Sequence, residues 1–242
     1  MEVAFHSAPC LSNSLQAVGF EMDVAQLSRG RLEGTFRLGG SQQLPVLSIQ
    51  TNQDLLLQGN RRPGVLPISL NTTDQQPVVR GKETQPGSLH GFHAGLSDSF
   101  VQLPAGADIR VALVSQTRFE QLATATGDHQ VLEVIQRSNS ANLNPQRFEE
   151  ISALIQAQLM GGGQEDLVEV AALEALSPHQ LQGTASGELV VGAGLMKDLV
   201  AWGFKNTGQA ITLNDLSATI FASRSSIVHH CRQSFGTGPW RC

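Results

Sequence analysis

The sequence predicts an α+β chain in which a β-rich, barrel-like unit comes first, helices follow, and a small all-helical unit closes the C-terminus. Three observations carry this expectation. From Met22 to Thr117, short apolar or alternating runs are broken about every ten residues by glycine, proline and polar turn signals, the spacing of an antiparallel barrel or sandwich. After Thr117 the apolar period changes from two to three or four. A stretch rich in glycine and small residues, from Gly183 to Gly194, then separates these helices from a second helical segment.

The expected strands are Asp23–Leu27, Arg31–Leu38, Leu44–Gln50, Asp54–Gln58, Val65–Leu70, Pro77–Arg80, Phe100–Leu103 and Ile109–Val114. Turns fall at Gly39-Gly40, Pro63-Gly64, Pro86-Gly87 and Pro104-Ala105-Gly106. Amphipathic helices are expected over Arg118–Thr126, Gln130–Gln136 and Pro145–Met160, the last carrying Phe148, Ile151, Ile155 and Leu159 on one face. Asn144-Pro145 is a helix start, and Gly161-Gly162-Gly163 a stop. A further helix runs from Gln164 to Leu176. This divides the chain into a β-rich sensor or dimerisation domain with C-terminal helices (1–180), a linker (181–194) and a partial helical domain (195–242).

With 40% apolar and 15% charged residues, the chain can bury a core and lies far from the composition of disorder. The net charge of −5 is uneven. From Lys197 onward, Lys197, Lys205, Arg224, Arg232 and Arg241 stand against Asp198 and Asp215. That segment is therefore +3 and the remainder −8, an acidic body with a basic end. Cys10, Cys231 and Cys242 have no metal-binding or redox spacing and read as free thiols of a reducing cytoplasm. No apolar run has the length of a membrane span, and the N-terminus lacks a basic stretch followed by an apolar one, so a cytoplasmic protein without a membrane partner is expected.

The segment Ile211 to Pro239, ITLNDLSATIFASRSSIVHHCRQSFGTGP, contains two helix starts. Thr212 and Asp215 have the spacing of a capping box for a helix Leu213–Ile220, and Ser223 caps a second helix Arg224–Ser234 that Gly236 ends. Only Phe221 and Ala222 connect them, the tight join that lets one helix cross a DNA backbone while the next enters the major groove. Leu213, Leu216, Ile220, Ile227, Cys231 and Phe235 would face inward, and Arg224, Ser225, Ser226, Val228, His229, Arg232 and Gln233 outward.

The spacing of Leu213, Leu216, Ser223, Ile227, Cys231, Phe235, Gly236 and Pro239 resembles the first of two helix-turn-helix units in the AraC family of transcription regulators. Ser217 stands where that family usually has Ala, Ile227 where it has Leu, Cys231 where it has Phe, and Phe221 where it prefers a small or polar residue. The resemblance implies that Arg224, Ser225, Ser226, Val228 and His229 read bases and that Arg232 meets phosphate. It implies a first helix Leu195–Asn206 packing underneath through Leu195, Leu199, Trp202 and Phe204, and more loosely a barrel-like (cupin-like) sensor domain. It covers about one-fifth of the chain. The family's linker helix and second helix-turn-helix have no counterpart before Trp240-Arg241-Cys242, so a fragment or a natural truncation is expected.

Other motifs are weaker. His90 and His93 lack a third and fourth ligand and read as turn and surface residues, and His229-His230 as a solvated or phosphate-contacting pair, so no metal is expected. Asp108 with Arg110 reads equally as a strand-edge pair or as part of a ligand pocket. No catalytic arrangement has local support, so neither an enzyme nor a cofactor is expected. The function that follows is an effector-responsive regulator acting as a homodimer on double-stranded DNA, with a small-molecule effector in the sensor. The competing function is a ligand-binding or dimerisation module that does not bind DNA by itself.

Overall fold

The structure is a computed structural model that describes residues 1–188, 192–206 and 212–235. The described residues form thirteen strands and eight helices. In chain order these are β1 (Glu2–Phe5), α1 (Ala8–Ala17), β2 (Glu21–Gln26), β3 (Gly34–Gly40), β4 (Pro45–Thr51), β5 (Leu55–Asn60), β6 (Val65–Asn71), β7 (Val78–Val79), β8 (Lys82–Glu83), β9 (Ser88–His90), β10 (Asp98–Leu103) and β11 (Asp108–Ser115). There follow α2 (Gln116–Thr126), α3 (His129–Arg137), β12 (Ser138–Leu143), α4 (Pro145–Leu159), α5 (Glu165–Leu176), β13 (Leu181–Ser186), α6 (Ala193–Lys205), α7 (Leu213–Thr219) and α8 (Arg224–Phe235).

The strands make two antiparallel sheets, ordered β1-β3-β4-β11-β6-β9-β12-β13 and β2-β5-β10-β7-β8. Alternate residues of one strand serve two cores, because both faces of each sheet are covered. On β11, Ile109 and Leu113 point between the sheets, where they meet Phe36, Leu47, Leu55 and Leu57. Ala112 and Val114 point the other way and pack with Phe119, Ile135, Ile151 and Leu176 of α2 to α5. On the small sheet, Leu55 and Leu57 face inward, whereas Leu56 joins Phe100 against α6, α7 and α8. The layers are therefore helices, large sheet, small sheet and helices.

Where a barrel-like unit is expected, the strands make two facing antiparallel sheets that do not close into a barrel. Among the described residues no ladder joins one sheet to the other. The small sheet ends on β8, whose exposed Lys82 and Glu83 make an edge too short and too charged to recruit another strand. Asp108 and Arg110 are ion-paired at 3.1 Å and mostly buried. Their strand lies between β4 and β6, so they are not at a sheet edge.

The expected strands and helices all appear, with several ends in place and the others shifted by up to three residues. Helix α4 begins as expected, Asn144 accepting from the Arg147 amide at 2.9 Å with Pro145 at the first position. Its far end rests on β3 at Gly39, where a Cβ would lie 2.3 Å from the Leu159 carbonyl oxygen. Helix α5 is tied to α2 by the buried Glu169 carboxylate, 2.6 Å from Arg118 Nε. Residues 181–186 of the expected linker form β13, which pairs with β12, and 189–191 lie outside the described residues.

Candidate nucleic-acid interface

Helices α6, α7 and α8 form the C-terminal unit. Thr212 caps α7 reciprocally with Asp215: the Asp215 amide donates to Thr212 Oγ1 at 3.2 Å, and the Thr212 amide donates to Asp215 Oδ2 at 2.8 Å. The Thr212 hydroxyl hydrogen-bonds the carboxylate as well, and these bonds hold the Asp215 carboxyl below its ordinary range. Ser223 caps α8 by accepting from the Ser226 amide at 3.1 Å. Between the helices, the Ser217 hydroxyl donates to the Ala222 carbonyl oxygen at 2.6 Å, so this serine braces the turn.

Phe221 has a φ of +51° and is 97% exposed. A bulky residue in the left-handed region costs roughly 1–2 kcal/mol, and here no burial offsets that cost. Phe221→Asn, which tolerates this backbone, should therefore raise stability by about 1 kcal/mol and Tm by about 2–4 °C. Thermal unfolding of the two proteins checks it, and a lower Tm in the variant would show that the ring is held by a contact.

The inward face forms as expected. Leu216, Ile227 and Cys231 are buried with Met196 and Leu199 of α6, while Leu213, Ile220 and Phe235 pack at the rim. Of the residues expected beneath the pair, Leu195, Leu199 and Trp202 join this cluster and Phe204 does not. The outward residues remain outward. Arg224, Ser225, His229, Arg232 and Gln233 are exposed, and Ser226 and Val228 are half-buried. These side chains occupy successive turns of one twelve-residue helix, a polar strip that could enter a groove. His230 is half-buried beside Gly192, with its ring edge-on to His229 at 5.2 Å. Gly236, Pro239, Arg241 and Cys242 lie outside the described residues.

The unit docks on the outer face of the small sheet. Leu56 of β5 and Phe100 of β10 supply the apolar contact. Beside it, Asp98 of β10 bridges two cations, Lys197 of α6 and Arg80, the latter at 3.1 Å. Burial pushes the Asp98 carboxyl up, but its bonds and charge pairing with Lys197 and Arg80 outweigh burial and hold it below the usual carboxylate range. Lys197, counted among the basic residues of this end, is thus spent on the body, leaving Lys205, Arg224 and Arg232 as exposed cations of the described part.

His90, expected at a surface turn, is 3% exposed. It sits at the end of β9, paired in register with Ser69 of β6 and Ser140 of β12, and this long-range pairing is what carries it inside. His93 is half-buried nearby.

No family model matches the chain, and no curated protein matches it. Among solved structures, that of the AraC-like transcriptional activator CuxR is similar, at 12% identity and a TM-score of 0.46, covering 100% of this chain and 92% of that one.

Proposed function

We propose that this chain is a sequence-specific, effector-responsive transcription regulator that binds double-stranded DNA through α8. The observation that carries the reading is the division of α8 into a buried face, Ile227 and Cys231, and an exposed polar face, Arg224, Ser225, His229 and Arg232. In this reading Arg224, Ser225, Ser226, Val228 and His229 contact base edges near the helix start, and Arg232 neutralises a phosphate. The β body serves as the sensor in a cytoplasmic homodimer. Leu167 and Val170, exposed on α5, suit the helical layer to the dimer contact. An effector in the sensor would shift the relative placement of two readers and so change operator affinity.

Gel-shift titration of the full chain against promoter DNA at several salt concentrations tests this. Specific, salt-sensitive retention is the expected result. Arg224→Ala and His229→Ala should each cost about 1–3 kcal/mol on the preferred sequence and relax preference there, whereas Arg232→Ala should weaken all sequences about equally and lower the salt slope by about one. Absence of retention by a folded, dimeric chain would favour the competing function, a ligand-binding or dimerisation module without DNA binding of its own.

A further inference from the structure

The two sheets enclose a cavity of about 90 Å³ that the DNA-binding face does not use. Most of its wall is apolar, and its charged or hydrogen-bonding side chains are those of Arg61, Ser69, His90 and Ser99. These four form one continuous patch. Ser69 and His90 are paired across β6 and β9, Arg61 Nε donates to the Ser99 hydroxyl at 3.2 Å, and Arg61 also donates to the carbonyl oxygen of Gly91, the residue after His90, at 2.8 Å.

Arg61 is 8% exposed, yet every acceptor it meets is uncharged. Besides Ser99 and Gly91 these are the His93 carbonyl at 3.3 Å and Asn139 Oδ1 at 3.3 Å. Among the described residues no carboxylate lies within ion-pair distance of it. Asp98 acts on it only from further off, and that carboxylate is already shared by Arg80 and Lys197. Buried cations ordinarily have a counter-ion, because hydrogen bonds to neutral groups offset only part of the desolvation cost. Next to it, His90 Nδ1 is buried without a hydrogen-bond partner. Burial and the Arg61 charge push the imidazole down to about 4, so at neutral pH it is uncharged and free to donate one hydrogen bond.

We infer that this cavity binds a small aliphatic monocarboxylate, with the carboxylate against Arg61 and the His90 imidazole and the alkyl end among Leu47, Ile49 and Leu57. The anion supplies the charge the guanidinium lacks and an acceptor for the orphaned nitrogen. Size follows from volume. A cavity of about 150 Å³ holds the six carbons of benzene, so this one suits about four non-hydrogen atoms, the size of acetate, with propanoate at its upper limit. The inference deepens the sensor half of the reading above and rests on it only in making the occupant an effector.

Calorimetric titration of the full chain with sodium propanoate and with propanamide, its neutral analogue, in the absence of DNA tests the site. Propanoate should bind saturably and about tenfold or more tightly than propanamide. Val101→Phe, which fills the cavity from β10 and leaves Arg61 intact, should weaken propanoate by about tenfold or more. Arg61→Met should abolish the preference for the anion, while Arg61→Lys should keep part of it. Should Arg61→Met fail to fold, the propanoate-to-propanamide ratio and Val101→Phe decide. No saturable binding, equal binding of amide and acid, or propanoate binding unchanged by Val101→Phe would each overturn the assignment. Such a failure leaves DNA retention untouched, and loss of DNA retention leaves the calorimetric site standing.

Discussion

Ile227→Ala should destabilise the C-terminal helices by about 2–5 kcal/mol and abolish any DNA retention with them. Ile227 is fully buried where α8 meets Leu56, Phe100, Met196, Leu199 and Leu216. Truncation removes apolar contact and leaves a void among groups from four elements that cannot all close on it. The loss should be local, because this cluster lies on the opposite side of the small sheet from the inter-sheet core. Amide hydrogen exchange should therefore accelerate in α6 to α8 and change little in β4, β6 and β11. Uniform acceleration through the sheets would show that the helices and the body unfold as one unit. The substitution touches none of the exposed residues of α8, so a protein that kept its fold but lost DNA would contradict this account.

Acidification should weaken the fold well before the carboxylates titrate. His90 is held neutral, with its ordinary 6.5 lowered to about 4 by burial and by the Arg61 charge. A proton that the unfolded chain accepts below 6.5 is refused by the folded one, so the stabilising difference is whole above 6.5 and disappears as pH falls towards 4. A displacement of this size corresponds to roughly 3 kcal/mol. His93, lowered by burial and by the charges of Arg61 and Arg80, acts in the same direction. Denaturant midpoints measured between about pH 7 and about pH 4 should fall steeply for the natural chain and less steeply for His90→Phe. Parallel curves would show that His90 does not carry the effect.

The local rules of the C-terminal unit were legible because they act over three or four residues. Thr212 with Asp215, Ser223, and the spacing of Leu216, Ile227 and Cys231 each state their own geometry, and the structure has them all. Helix α1 had comparable signals in Ser7, Pro9, Leu11 and Leu15, but it precedes the region where the alternating pattern begins and was not expected. Strand β12, SNSANL, is spelled in residues that favour turns, and it is extended because β9 and β13 flank it and Ala141 and Leu143 find a core. The same reason hid the interior polar patch. Arg61 and His90 lie in turn-like text, and only pairings with partners far along the chain bring Ser69, Ser99 and Asn139 to them. Local text likewise gave no sign that Leu56 and Phe100 would face a second helical layer.

Leu56 and Phe100 also limit where this protein could be cut. Stripped of the last three helices, the small sheet would present those two side chains to water next to Asp98 without its lysine, a sticky face with an unbalanced charge beside it. An isolated β body would need polar replacements at both positions to stay in solution. Grafting these three helices onto another scaffold would likewise demand a surface shaped to take Met196 and Ile227, so exchange of parts between proteins is restrained by a patch that neither helix nor sheet could leave bare.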